Sequence, residues 1–371
     1  MNNIPVNEPV LEGNEKKYLM ECIETGWISS EGPFVSKFES MLATRVGRKF
    51  GVAVSSGTAA LDIAVTALKL DPGTEVILPS FTIISCATAI LRAGLVPVVV
   101  DCEPDSWNLD VAQLEQKIGE KTRAIMVVHI YGLPVDMEPV LSLARQYNLA
   151  VIEDAAEAIG QTYQGKPCGS FGDISIFSFY PNKHITTGEG GMIFSDDPTL
   201  ISRCQSLRNL CFRADRRFVH TELGWNYRMT NLQAAIGLAQ AEKLDEFLIK
   251  KRWIGGYYNQ LLKENKNILL PLVESSAAQN LYWVYALVLK EDVSFDAFEM
   301  MDRLKEKKIG CRPFFWPIHQ QPVLTSMGLF KNETCPVSER LAHRGFYIPS
   351  GLALTEQQIV SVADAVNSIL S

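Results

Sequence analysis

A largely parallel α/β sheet covered by helices is the fold class predicted for this 371-residue chain, and two patterns predict it. Short β-rich runs alternate with amphipathic helical stretches between residues 50 and 200, and beyond about residue 232 the pattern turns to long helix with interspersed charge. Alternation of that kind favours parallel strands with helices on both faces. The candidate strands are 51–54, 75–78, 96–101, 124–129, 150–154, 175–179 and 192–194. Between them Leu61, Ala64, Val65 and Leu68 recur at helical spacing, and a second amphipathic stretch covers 137–147. Residues 232–261 read as long helix. The segment 255–371, with a strand-like run at 283–289 among helices and turns, reads as a smaller α+β unit. The expected division is a large domain over 1–250, including the N-terminal segment, and a small domain over 251–371, as the length itself suggests.

Composition narrows the function class. An apolar fraction of 47% with 21% charged residues is that of a globular protein with a large core. A net charge of −7 disfavours a nucleic-acid surface but leaves an anionic small-molecule substrate open, because local basic clusters decide that. The eight cysteines form no C-x-x-C pair and several sit in apolar runs, so free thiols in a reducing cytoplasm are expected. The first residues carry no signal-peptide core, and no stretch reaches the roughly 18 apolar residues of a membrane helix. No metal site is expected.

Ligands in open α/β sheets bind beyond the carboxyl ends of the strands, and the chemistry-bearing residues fall at such ends. SSGTAAL (55–61) follows a strand and opens a helix. Helix N-terminal amides with hydroxyls and a glycine suit a phosphate, while the plainer reading of the segment taken alone is an ordinary serine N-cap. Asp154 ends an apolar strand, where it either holds a protonated ring nitrogen or caps the following turn. Lys183 follows the 175–179 strand after a turn; it reads as a reactive amine or as a solvated turn lysine. His184 beside it reads as a local packing or capping residue, and Ser178 as a phosphate contact or a sheet-facing hydroxyl. The order of these parts is informative. A lysine for an aldehyde, an aspartate for a pyridinium nitrogen and a phosphate turn are what pyridoxal phosphate requires. Arg213, Arg216, Arg217 and His220 form a basic segment that suits a diphosphate or a solvated loop equally, and RPFFWPIH (312–319) is a similar case.

Taken together, GWISS (26–30), SSGTAAL, PSFT (79–82), HIYG (129–132), EDAAEA (153–158), FGD (171–173), NKHITTGEGGM (182–192), NYRMTN (226–231) and RPFFWPIH closely resemble the DegT/DnrJ/EryC1/StrS family of nucleotide-sugar aminotransferases, nearly end to end. The resemblance implies the aspartate-aminotransferase fold (fold type I) and pyridoxal 5'-phosphate. It makes Lys183 the Schiff-base lysine and Asp154 the partner of the ring nitrogen. It places Gly57, Thr58 and Ser178 at the phosphate and Glu157 against the ring. It also sets Asn226 where a second subunit reaches the phosphate, so a homodimer with shared sites is implied. Trp27, Ser29, Arg216, Arg217, Arg312 and His319 are the candidate substrate contacts. Ile83 departs from the pattern, since relatives usually place an aromatic residue over the ring there.

Within the family the chain looks most like the perosamine- and viosamine-type enzymes. These transfer an amino group from L-glutamate to C4 of a GDP- or dTDP-linked 4-keto-6-deoxyhexose, for O-antigen and related glycans. The Lys183 turn also resembles a branch that dehydrates C3 of such a sugar, in which histidine replaces that lysine; the lysine here favours transamination. A 3-aminotransferase and a C3 dehydratase are the alternative readings.

Overall fold

The computed structural model describes residues 3–371. Seven strands form the main sheet: β1 (Phe50–Val54), β2 (Glu75–Pro79), β3 (Val96–Val100), β4 (Thr122–Val128), β5 (Ala150–Asp154), β6 (Ile174–Ser178) and β7 (Gly191–Ser195). Their spatial order is β1-β7-β6-β5-β4-β2-β3. All neighbours pair in parallel except at β7, which runs antiparallel to both β6 and β1. Strand β7 returns directly from β6 through the loop 179–190, so no crossover helix is needed there and the chain reverses. That loop carries Lys183.

Alternation along the strands distributes side chains to two buried faces. Val76, Leu78, Ala124, Met126 and Ile152 join one apolar cluster, whereas Ile77, Val100, Ile125, Val127 and Val151 join another. Successive residues of a strand point to opposite faces, and a sheet covered on both sides needs apolar residues at every position. This is why the runs read as continuous hydrophobic stretches. The helix Gly57–Ala67 is buried along most of its length. Its Asp62, almost fully enclosed, is paired with Arg92 at 3.0 Å.

The expected long helix over 232–261 is two helices, Asn231–Glu242 and Leu244–Leu262, separated at Lys243 (φ −102°, ψ 1°). No glycine or proline marks the break, so the hydrophobic pattern ran on across it. The first of the pair opens on a capping box, in which Thr230 and Gln233 satisfy each other's backbone N–H. Asn231, fully buried, accepts from Phe34 N at 2.8 Å and donates to Trp27 O at 2.6 Å.

The smaller sheet has the order β8-β9-β11-β10, with β8 (Ile268–Leu269), β9 (Tyr285–Leu289), β10 (Arg312–Pro313) and β11 (Gly345–Ile348), all antiparallel. Its core joins Tyr258, Leu287, Met300 and Val362. The boundary expected at residue 250 falls inside the helix Leu244–Leu262. Ile4, at the other end of the chain, bridges to Ile309 and packs into the same small core. We propose that the N-terminal strap belongs structurally with the C-terminal unit.

Candidate active site

The carboxyl ends of β1, β5 and β6 converge on a cavity of about 350 Å³, within the range of small-molecule sites. Lys183, Asp154, Glu157, Ser178, Gly57 and Thr58 all line it. Residues spread over more than a hundred positions of sequence thus share one wall, as the strand-end argument expected.

Lys183 stands on a turn closed by its own N–H to Tyr180 O at 2.9 Å. The next turn is fixed by Thr186, whose hydroxyl donates to Phe179 O and accepts from Gly188 N. Gly188 has φ +80°, the left-handed region that glycine occupies without a steric cost. The Lys183 ammonium lies 3.7 Å from Glu157 Oε1 and 3.7 Å from the centre of the Trp283 ring. Burial lowers the proton affinity of Lys183, and the nearby carboxylates Glu157 and Asp154 only partly oppose it. The neutral, nucleophilic amine is therefore more accessible than in a solvated lysine.

Asp154 is almost completely enclosed. Its Oδ1 accepts from Ala156 N at 3.0 Å and its Oδ2 from the Cys86 thiol at 3.4 Å. Burial raises its pKa, against the pull of the Ala156 N–H and of Lys183. The carboxylate caps the turn with one oxygen, as the capping reading expects, and also lines the cavity. Burial also pushes Cys86 well up, so it remains a thiol donor. Glu157 is pushed up to about 7, first by burial, with Lys183 pulling the other way. Its Oε2 accepts from Tyr131 N at 2.9 Å.

Ser56 caps the helix Gly57–Ala67, its side chain accepting from Ala59 N at 3.1 Å, so the N-cap reading of SSGT is correct. The same helix start also forms a cradle. A Cβ on Gly57 would come within 2.7 Å of Ser178 Cβ, so only glycine leaves room between them. The Thr58 and Ser85 hydroxyls lie 3.0 Å apart on the same wall. Helix N-terminal amides with hydroxyls on both sides suit a phosphate. These residues fit pyridoxal phosphate: an amine for its aldehyde, a buried carboxylate for its ring nitrogen, and an anion cradle.

Other expected residues lie outside this cavity. Trp27 and Ser29 are exposed, and their carbonyls are occupied by Asn231. Arg216 and Arg217 are exposed, with Arg217 lying over the Phe212 ring. Asn226 is exposed on a bridge to Asn209. Arg312 lines an adjoining recess that shares Tyr180, Asn182, Trp283 and Tyr347 with the main cavity. His319 is buried between the Ser80 hydroxyl at 2.7 Å and Glu339 at 2.9 Å, so both ring nitrogens are engaged away from the cavity. Ile83 does line it, half-exposed, so an aliphatic side chain stands on the cavity wall.

Sequence reading did not single out Ser85, Cys86, Trp283, Phe315, Glu189 or Tyr347, which also take part in the site. Trp283, Phe315 and Tyr347 arrive from the small unit, and no local pattern signals that. His129, Glu153 and Cys168 bring potential metal-ligand atoms together. Both carboxylate oxygens of Glu153 accept backbone N–H groups, and Glu153 also pairs with His129 at 2.9 Å. That makes the cluster a clasp between strands.

Residues 9–367 match the profile of the DegT/DnrJ/EryC1/StrS aminotransferase family. The chain belongs to that family. It is accordingly a pyridoxal-phosphate-dependent sugar aminotransferase. It is 41% identical over 372 residues to the GDP-perosamine synthase of Escherichia coli O157:H7, covering 100% of each chain. It is also 41% identical to the GDP-perosamine synthase of Caulobacter vibrioides, over 99% of this chain and 98% of that one. Among solved structures, Helicobacter pylori PseC superposes with a TM-score of 0.94 at 24% identity, covering 100% and 99% of the two chains; this likeness concerns the fold. DesI, solved in the presence of its TDP-sugar product, superposes with a TM-score of 0.90 at 27% identity, covering 100% and 93%.

Proposed function

We propose that this enzyme transfers the amino group of L-glutamate to C4 of a GDP-linked 4-keto-6-deoxyhexose, giving a 4-amino-4,6-dideoxy sugar for a surface glycan. The observation that carries this reading is full-length identity of 41% to proteins named GDP-perosamine synthase, joined to a cavity in which Lys183, Asp154 and Glu157 meet.

Pyridoxal phosphate supplies an aldehyde carbon that carries the amino group and a ring that accepts the electrons of the broken C–H bond. The chain's own residues do the rest. Lys183 would anchor the aldehyde and, as a free amine, would take a proton from the glutamate carbon and give one to the sugar carbon. Asp154 holds the ring nitrogen in its protonated form through a charge-assisted hydrogen bond. Gly57, Thr58 and Ser178 seat the phosphate. Glu157, with its ordinary charge weakened by burial, would lie beside the ring without adding a full negative charge next to Lys183.

The sugar assignment is tested by incubating the loaded enzyme with glutamate and GDP- or dTDP-linked 4-keto-6-deoxyhexoses, then identifying products by mass spectrometry and NMR. The expected product is a GDP-linked 4-amino sugar. A 3-amino sugar, or a 3-deoxy product without nitrogen, would overturn the reading.

A homodimer with shared sites is part of this proposal. Asn226, Arg216 and Arg217 lie outside the cavity of their own chain, on a surface where Phe218 is 80% and Leu223 90% exposed. Exposed apolar residues of this size mark an interaction surface. A partner subunit covering them would bring the basic segment and Asn226 to the neighbouring site. Light scattering is expected to find a dimer at working concentration, with dissociation also weakening cofactor binding. A fully active monomer would contradict it. A cytoplasmic location belongs to the same reading, supported by eight cysteines that are all free. Among the described residues no helix is long and apolar enough to cross a membrane.

A further inference from the structure

Behind the Lys183 turn, on the side away from the cofactor cavity, lies a chamber of about 10 Å³, roughly the room that one water molecule needs. Asn182, Lys183 and Trp283 line both spaces and so form the partition between them. His184 and Lys251 line the chamber and not the cofactor cavity.

Several polar atoms here are unmatched within the protein. His184 is buried, and neither of its ring nitrogens has a hydrogen-bond partner in the protein. The buried Oδ1 of Asn182 also has none. Native interiors rarely leave such groups unpaired, and ordered water is the usual remedy. Lys251 is buried and donates to Trp283 O at 2.8 Å and to Ser350 O at 2.6 Å. Burial lowers the pKa of Lys251 to about 7, so it is protonated in part near neutral pH; its ammonium form has three N–H donors, of which one remains.

The charged groups around His184 are Lys183 beside it, Lys251 and Arg252 on the facing helix, and Glu8 on the chamber wall. Burial and the three cations hold His184 well below its ordinary proton affinity. The ring is therefore neutral, with one donor and one acceptor nitrogen.

We propose that the chamber is a binding site for a single water molecule, and that His184 and Lys251, joined through it, are positioning residues for the Lys183 turn. The water accepts the third N–H of Lys251 and donates to the imidazole and to Asn182 Oδ1. Asn182 is held from the other side by Trp283, whose indole N–H donates to Asn182 O at 2.7 Å. Lys251 meanwhile fixes the carbonyl of that same Trp283, whose ring lies against the Lys183 ammonium. The residue before Lys183, the residue after it and the ring beneath its amine are thus tied to one buried centre. The inference rests on Lys183 as the reactive amine and not on which sugar is aminated.

Two measurements test it. A high-resolution crystal structure of the unaltered protein is expected to show a water bonded to His184 and Lys251; a chamber without solvent density overturns the proposal. In cofactor-free protein, labelling of Lys183 by a small aldehyde and cyanoborohydride, followed across pH by peptide mass spectrometry, reads the amine directly. In His184→Phe an apolar ring replaces the polar link, and the midpoint is expected to move down because the ammonium loses its polar surroundings. In the loaded enzyme the same variant is expected to lose about tenfold in kcat with unchanged KM, since a small misplacement of the reacting amine is enough. His184→Asn is expected to restore most of both. A folded His184→Phe with the parent kcat and labelling midpoint overturns the proposal. Should that variant not fold, Lys251→Met read by the same labelling decides, with an unshifted midpoint contradicting the link. Because labelling needs neither cofactor nor sugar, it separates failure here from failure of the sugar assignment.

Discussion

Turnover in the Lys183→Ala protein is expected to fall by about 10⁴-fold or more, with the fold intact. In the proposed mechanism one side chain is both covalent anchor and proton carrier, and general acid-base transfer alone contributes about 10²–10⁴-fold. The structure shows why nothing nearby substitutes. Cys86 is held as a thiol by burial, the carboxylate of Glu157 is 3.7 Å from the amine it would replace, and His184 faces the chamber on the other side of the turn. Folding does not depend on this ammonium, because burial already disfavours its charge. Removing it leaves the buried Glu157 Oε1 without its partner at 3.7 Å, but Glu157, already pushed up by burial, then takes up a proton more readily, so melting is expected to fall by only a few degrees. Steady-state assays on the true keto sugar check the rate, and activity above trace would contradict the role of Lys183.

For Asp154→Asn the expected result is a fall in kcat of about a hundredfold or more, the scale of removing one preorganised electrostatic group. The amide still fits between Ala156 N and Cys86, but it cannot stabilise a positive ring nitrogen by charge. Stability moves the other way. Burial raises the pKa of Asp154 in the folded chain without cofactor, so the folded state binds that proton more tightly than the unfolded one. The carboxyl therefore costs stability as pH rises from the ordinary aspartate range through its raised value. Cofactor-free Asp154→Asn is accordingly expected to melt at or above the parent temperature at neutral pH. A variant that unfolds while its folded fraction stays fully active would assign Asp154 a structural role only.

Much of the site was legible because its parts are local. Asp154 ends a strand, Ser56 to Thr58 open a helix, and Lys183 follows a strand by a short turn; each carries a pattern that one window of sequence contains. The stretch 137–147 proved to be the helix Met137–Tyr147. The main-sheet strands were found to within two residues, since a run buried on both faces is hydrophobic at every position, whereas Ile268–Leu269, Arg312–Pro313 and Gly345–Ile348 of the small sheet were not read as strands. The antiparallel course of β7 was not legible, because its residues look the same in either direction. Nor was the break at Lys243, which is made by backbone angles that many residues adopt.

What the sequence could not show is what depends on distance along the chain. Trp283 under the Lys183 ammonium comes from the start of the small sheet, a hundred residues downstream of the turn. The thiol of Cys86 on Asp154 sits in the helix Ile84–Arg92 among small and apolar residues that carry no catalytic pattern. His319 misled because a histidine in an aromatic segment looks available, while its two nitrogens are consumed by Ser80 and Glu339.

Lys183, and no other lysine, is expected to be the amine that holds the cofactor. Borohydride reduction of the purified, cofactor-loaded protein, followed by proteolysis and peptide mass spectrometry, reads this directly. The expected result is a pyridoxyl adduct on the peptide containing Lys183 alone. An adduct on Lys251, the other buried lysine close to this turn, or loaded protein with no lysine adduct at all, would contradict it.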